Sequence, residues 1–118
     1  MQLLIGKQIS LSLRQALQMA AEQLPVAAEK AVLDEVKDYI LRRYRQFLID
    51  NGFRYDMVDS VLAARGDNPF LAYQTLESLA PWVARADWGE LLDTYARCVR
   101  ITRAEPQRYA LDASRLAD

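Results

Sequence analysis

Apolar residues at Leu33, Val36, Ile40, Tyr44, Phe47 and Leu48 recur every three or four positions along one unbroken stretch, a spacing that suits a helix face and not a strand. The stretch runs from Ala27 to Asp50. Asp34, Glu35, Asp38, Arg42 and Arg45 occupy the other side, so the sequence predicts a long amphipathic helix. Its acids come early and its bases late, as the helix dipole favours. Asn51-Gly52 is the expected stop, with Gly52 free to take the left-handed conformation.

The same period governs the rest of the chain. An earlier helix is predicted to begin after Ser10 or Ser12, carry Leu13, Ala16, Leu17, Ala20 and Leu24 on one side, and stop at Pro25. A shorter one, from Asp56 to Ala64, carries Met57, Val58, Val61 and Leu62. Residues 65–69 form a turn in which Asn68 can cap the next helix with Pro69 at its first position. Phe70, Tyr73, Leu76 and Ala80 then line one face as far as Pro81. After a short link, Asp87-Trp88-Gly89-Glu90 has the form of a capping box with an acid in place of serine or threonine. Leu91, Leu92, Tyr95, Cys98, Val99 and Thr102 follow at helical spacing, with Asp93 and Arg97 set for an i, i+4 pair and Pro106 as the stop. The prediction is an all-α fold, an antiparallel bundle of about five helices. Residues 1–9 form a leading segment, 10–106 the helical domain and 107–118 a weakly structured tail.

Composition excludes several chemistries. Histidine is absent, which removes histidine triads, histidine metal sites and the usual general base near neutral pH. The single cysteine, Cys98, can form neither an intrachain disulfide nor a cysteine metal cluster, and is expected to be a buried helix residue. No glycine-rich phosphate loop is present. The sequence therefore predicts no catalytic site, no cofactor and no metal. No apolar run approaches the ~20 residues of a membrane span. Met1 to Ile5 is too short for a signal-peptide core. The expectation is a soluble, cytoplasmic protein without a membrane partner. A net charge of −1 does not announce a nucleic-acid binder, but the distribution is uneven. Lys37, Arg42, Arg43, Arg45 and Arg54 cluster against Asp38 and Asp50, and Arg97, Arg100, Arg103 and Arg108 against Glu105. Local basic faces of this kind can bind phosphate on a near-neutral chain.

Four stretches carry a resemblance. They are Ile9-Ser10-Leu11-Ser12-Leu13-Arg14-Gln15-Ala16-Leu17, the basic run Tyr39 to Leu48, Phe53-Arg54-Tyr55-Asp56 with Val58-Asp59-Ser60-Val61-Leu62-Ala63, and Tyr95-Ala96-Arg97-Cys98-Val99-Arg100-Ile101. In this order and spacing they resemble the C-terminal region of the beta subunit of bacterial glycyl-tRNA synthetase, over residues 10–118. That region is of the DALR-like anticodon-binding class. The resemblance implies a tRNA-binding domain serving glycine–tRNA ligation, with the aminoacylation chemistry on an alpha chain. The implied partners are glycine-accepting tRNA, the remainder of the beta subunit and the alpha subunit. It also implies an excised piece that lacks the upstream beta domains and stops before the family's last helical segment.

Reading unpaired anticodon bases calls for cations for phosphates, flat groups for stacking and polar groups for base edges. Under the resemblance, Arg42, Arg45, Arg97, Arg100 and Arg103 are the phosphate candidates. Arg54 and Tyr55 are candidates to stack or hydrogen-bond. Asp56 or Asp59 is a candidate acceptor for the amino groups of the two cytosines that glycine anticodons share. Each has a plainer alternative. The arginines suit solvated helix faces, Phe53 and Tyr55 a small core between helices, Asp56 the N-cap of its helix, and Asp59 an ion pair with a nearby arginine. Trp82 and Trp88 suit packing anchors around the link. Two other functions stay open: a helical module that docks the beta chain to a protein partner, and a DALR-type domain of another synthetase such as the arginyl enzyme. The Phe-Arg-Tyr-Asp element favours the glycyl assignment.

Overall fold

The computed structural model describes residues 1–105, and the expected tail and Pro106 lie outside them. Every regular element among these residues is a helix: α1 (Gln2–Gly6), α2 (Leu13–Glu22), α3 (Lys30–Asp50), α4 (Tyr55–Arg65), α5 (Pro69–Val83) and α6 (Trp88–Thr102). They fall into two compact units, Met1–Val83 with α1 to α5, and a second that begins at Ala84 and contains α6.

In the first unit α2 packs on α3, α3 on α4, α4 on α5, and α1 on α5. The pairing of α3 with α4 is antiparallel, because Arg45 meets Asp59 whereas Lys37, two turns earlier, meets Asp67 just beyond the end of α4. The core is one cluster: Tyr44 and Leu48 from α3, Met57, Val58 and Val61 from α4, and Ala72 and Leu76 from α5. Burying a side chain of the Val, Leu or Met kind contributes ~1.5–3 kcal/mol, so these residues are the main apolar source of stability. The predicted stripes supply all but Ala72. Val36, in the α3 stripe, is exposed instead, because it lies N-terminal to the part of α3 that faces the cluster.

The Tyr44 ring is fully buried, and its hydroxyl donates to the Pro69 carbonyl at 2.6 Å. That bond ties the middle of α3 to the first residue of α5 and satisfies a polar group that would otherwise be stranded in the core. Burial first, and then the nearby Tyr73, pushes the Tyr44 phenol well above its ordinary range. The α3 terminus is a Schellman motif: Gly52 N–H donates to Ile49 O at 2.9 Å and Phe53 N–H to Leu48 O at 3.3 Å, with Gly52 at φ +92°. The motif turns Phe53 inward, where it meets Tyr73 edge-on at 5.7 Å between ring centroids.

The 65–69 turn caps two helices. Asn68 Oδ1 accepts from Leu71 N–H at 3.2 Å, the α5 cap that the sequence predicts. Asp67 caps α2, more than fifty residues away in sequence. Its Oδ1 accepts from Arg14 N–H at 3.1 Å and lies 2.8 Å from Lys37 Nζ, and its Oδ2 accepts from Ser12 Oγ at 2.6 Å. Ser12 is itself the N-cap of α2 and accepts from Gln15 N–H. Gly66 is buried where α4 ends. A Cβ there would stand 2.5 Å from Leu62 O and 3.2 Å from Leu41 Cδ2, so the turn approaches α3 as closely as it does only without a side chain.

Several boundaries differ from the sequence reading. Residues 2–6 of the leading segment fold as α1, whose Met1 and Ile5 pack against the core. The long helix begins at Lys30 instead of Ala27. Helix α5 passes through Pro81 to Val83, because a proline near a helix end removes one late hydrogen bond without unwinding the turns before it. Asp56 is not an N-cap. Arg54 holds that position, with no side-chain bond, and Asp56 sits in the first turn of α4. Asp87 holds the N-cap of α6 but makes no capping bond, because its carboxylate is taken by Arg85 at 2.6 and 2.8 Å. Cys98 is exposed, not buried, as are Leu91, Leu92, Tyr95 and Val99 on the same helix. Helical spacing defines an apolar face but does not by itself bury it.

Two stability tests follow from this packing. Tyr44→Phe removes the only polar bond of the buried ring and should lower unfolding free energy by about 1 kcal/mol, read from the urea midpoint. Asp67 has its carboxyl held below the usual range, first by Lys37, then by Ser12 and by the Arg14 amide. A depressed folded value means stability that is present above the unfolded carboxyl value of about 4 and lost as pH falls through the folded one. Asp67→Asn should therefore cost about 1 kcal/mol at pH 7, a figure discounted for a half-exposed carboxylate, and the gap to the parent chain should close in thermal melts as pH drops below about 4.

Candidate nucleic-acid interface

The predicted site residues of the first unit meet at the α3–α4 junction. The Schellman turn ends α3 at Asp50, and the four residues 51–54 lead directly into α4, so Arg54, Tyr55 and Asp56 stand where the chain reverses. Arg45 reaches across to α4 in a two-point pair with Asp59: Nε to Oδ1 at 2.5 Å and Nη2 to Oδ2 at 2.9 Å. Arg54 makes the same kind of pair with Asp56, at 3.2 and 2.7 Å. Asp56 also accepts from Met57 N–H at 3.0 Å. Tyr55 is 68% exposed and lies between the two members of that second pair in sequence. Asp56 and Asp59 are three residues apart and Tyr55 and Asp59 four, so all three share one side of α4.

The plainer reading of Asp59, an ion pair with a nearby arginine, is the one the structure contains. Phe53 likewise takes its core alternative, whereas Tyr55 does not. Arg42 and Arg43 are exposed on α3, and neither joins an ion pair among the described residues. Arg42 is one turn before Arg45 and on the same flank of α3. The structure thus separates the predicted cations of this unit into two kinds: Arg45 and Arg54, whose Nε–Nη2 edges are engaged by carboxylates, and Arg42, which joins no ion pair among the described residues.

Arg97 and Arg100 on α6, with Arg103 at its C-cap, form a strip of their own. Spaced three apart, they fall within about one third of the helix circumference. All three are exposed, and among the described residues none joins an ion pair; Arg100 donates instead to the Ala96 carbonyl at 3.4 Å. The expected Asp93–Arg97 pair does not form among the described residues. Thr94 and Thr102 turn their hydroxyls back onto Glu90 O and Cys98 O.

Charge pairing sets the electrostatics of the junction. The hydrogen bond from Arg45 holds the Asp59 carboxyl below the ordinary range, and the bond from Arg54 does the same for Asp56. Asp59 in turn raises Arg45 further above its already high value. The outcome is a surface of compact, locally neutral arginine–carboxylate units beside an exposed phenol ring, next to unpaired cations. The sequence offers an ion pair for Asp59 but not its partner, because Arg45 belongs to a different helix, fourteen residues away.

No family model matches the chain. Curated relatives do, among them the following three. It is 32% identical over 88% of its length to "Glycine--tRNA ligase, chloroplastic/mitochondrial 2" of Arabidopsis thaliana. It is 31% identical over 75% of its length to the "Glycine--tRNA ligase beta subunit" of Rhodospirillum centenum, and 32% identical over its full length to the protein of that name in Anaeromyxobacter dehalogenans. The chain spans only 10%, 13% and 18% of the length of these three relatives. On these matches it belongs with the aminoacyl-tRNA synthetase chains. Within them its homologues are the glycine–tRNA ligase beta subunits, as the resemblance to their C-terminal region implies.

Breaking the cross-helix pair should be visible at its carboxylate. In a carbon-detected NMR titration Asp59 should titrate below the ordinary aspartate range in the parent chain and return to it in Arg45→Ala. Because the folded value is the depressed one, the pair's support for the fold is complete above the ordinary carboxyl value and is lost as pH falls through the folded one.

Proposed function

We propose that this chain is a non-catalytic tRNA-binding domain of the glycine–tRNA ligase beta-subunit kind, contacting the anticodon loop while ligation proceeds on an alpha chain. Glycine-accepting tRNA, the rest of the beta subunit and the alpha subunit are its partners under this reading. The homology to glycine–tRNA ligase chains carries it. The exposed cations support it: Arg42 on α3 and Arg97, Arg100 and Arg103 on α6 are placed to release counterions on meeting a phosphate backbone. A loop of unpaired nucleotides also offers bases to flat side chains, which suits an exposed tyrosine beside arginines at the junction. A second reading, a protein-docking module within the synthetase assembly, is favoured by one observation: the exposed apolar side chains Leu91, Leu92, Tyr95 and Val99 on α6.

The deciding measurement is fluorescence anisotropy at low salt with a glycine tRNA anticodon stem-loop and a copy in which the two anticodon cytosines are replaced. The native loop should be preferred. Arg97→Ala with Arg100→Ala should weaken binding roughly tenfold and reduce the slope of log K against log salt by about two. Equal or absent binding to both loops would reject anticodon reading by this chain and leave the docking module.

A further inference from the structure

The occupied guanidinium edges at the α3–α4 junction point to a more specific role than phosphate binding. An arginine meets phosphate through the same forked Nε and Nη edge that it offers a carboxylate. In Arg45 that edge is filled by Asp59, at 2.5 and 2.9 Å, and in Arg54 by Asp56, at 3.2 and 2.7 Å. What each leaves available is its flat face, together with the outer Nη1–Nη2 end. The two side chains remain 40% and 63% exposed. Tyr55, 68% exposed and on the same side of α4 as both carboxylates, adds a third flat group. Guanidinium planes and phenol rings are the groups on which unpaired bases stack, without regard to base identity.

We propose that Arg45, Arg54 and Tyr55 form a stacking platform for unpaired RNA bases. Asp59 and Asp56 are positioning residues that hold the two guanidinium planes, and Arg42 beside them is the phosphate contact. The proposal rests on the RNA-binding reading above and deepens it by assigning each junction residue a mode of contact. It gives Asp56 and Asp59 a different task from accepting hydrogen bonds from cytosine, because their oxygens are already engaged by arginine. A two-point pair also fixes the guanidinium before binding, so less side-chain freedom is lost when a base settles on it. Stacking on such a neutral unit releases no counterion, and its contribution should therefore be insensitive to salt, whereas that of Arg42 should not.

The test uses the whole chain and the glycine tRNA anticodon stem-loop across a salt series. Arg45→Lys and Arg54→Lys keep the charge and remove the plane. Each should weaken binding about tenfold, as much as the alanine variants, with the salt slope unchanged. Arg42→Ala should lower the slope by about one, and Arg42→Lys should bind like the parent. Asp59→Asn frees the Arg45 edge for phosphate and should raise the slope by about one, a change that a merely structural carboxylate would not produce. A 2-aminopurine placed beside the anticodon should be quenched on binding the parent chain and not on binding Tyr55→Leu. Lysine variants that bind like the parent, with alanine variants that flatten the slope, would overturn the platform and leave the RNA-binding reading standing. A parent chain that fails to bind the stem-loop would overturn both. Circular dichroism melts of each variant separate loss of binding from loss of fold, which these solvent-exposed positions should retain.

Discussion

The first unit depends on one carboxylate. Asp67 accepts from the Ser12 hydroxyl and the Arg14 amide at the start of α2, and from the Lys37 ammonium on α3. It sits in the turn between α4 and α5, so four helices are referenced to a single side chain. Two residues further on, the Pro69 carbonyl receives the buried Tyr44 hydroxyl. Helix α3 therefore grips the same turn twice, once by charge at its half-buried rim and once by a neutral bond inside the core. The apolar cluster supplies most of the stabilising free energy. These polar contacts supply direction, because a carboxylate or a carbonyl accepts only along its lone pairs, whereas apolar contact tolerates sliding.

That anchoring is what makes the α3–α4 junction a candidate for recognition. With the 65–69 turn fixed at one end of the antiparallel pair and the Schellman motif at the other, Arg45 and Asp59 are brought across from each other by rigid elements instead of by loops. Exposed ion pairs add little to stability. Their repetition within one turn of α4, each holding the Nε–Nη2 edge of its arginine, makes geometry their more substantial contribution: they fix the orientation of each guanidinium plane. The exposed Arg97, Arg100 and Arg103 differ in kind, joining no ion pair among the described residues. A chain homologous to glycine–tRNA ligase beta subunits thus presents two sorts of cationic surface, one with its arginines paired to carboxylates and one without such pairs among the described residues.

The helices were legible in the sequence because each is set by local spacing and local caps. The α3 stripe, the Asn51-Gly52 stop and the Asn68-Pro69 start all depend on residues within one or two turns of each other. The all-α class and every member of the buried cluster but Ala72 followed from that periodicity. The arginines, Tyr55 and the carboxylates of the candidate site were also named from the sequence. Their arrangement was not. Arg45 read as a free cation and is a clamped one, Asp56 read as a cap and is a partner of Arg54, and Cys98 read as buried and is exposed.

What the sequence determined alone, then, was the five helices from α2 to α6, where they begin and end to within a few residues, and which family the chain resembles. Tertiary structure decided which carboxylate each arginine spends its donors on, that Asp67 caps a helix more than fifty residues away, and that residues 2–6 close over the core as α1. The reason is physical. Helical hydrogen bonds and caps join residues a few positions apart, so their determinants are contiguous in the sequence. Ion pairs and caps between helices join groups made neighbours only when the apolar faces have packed.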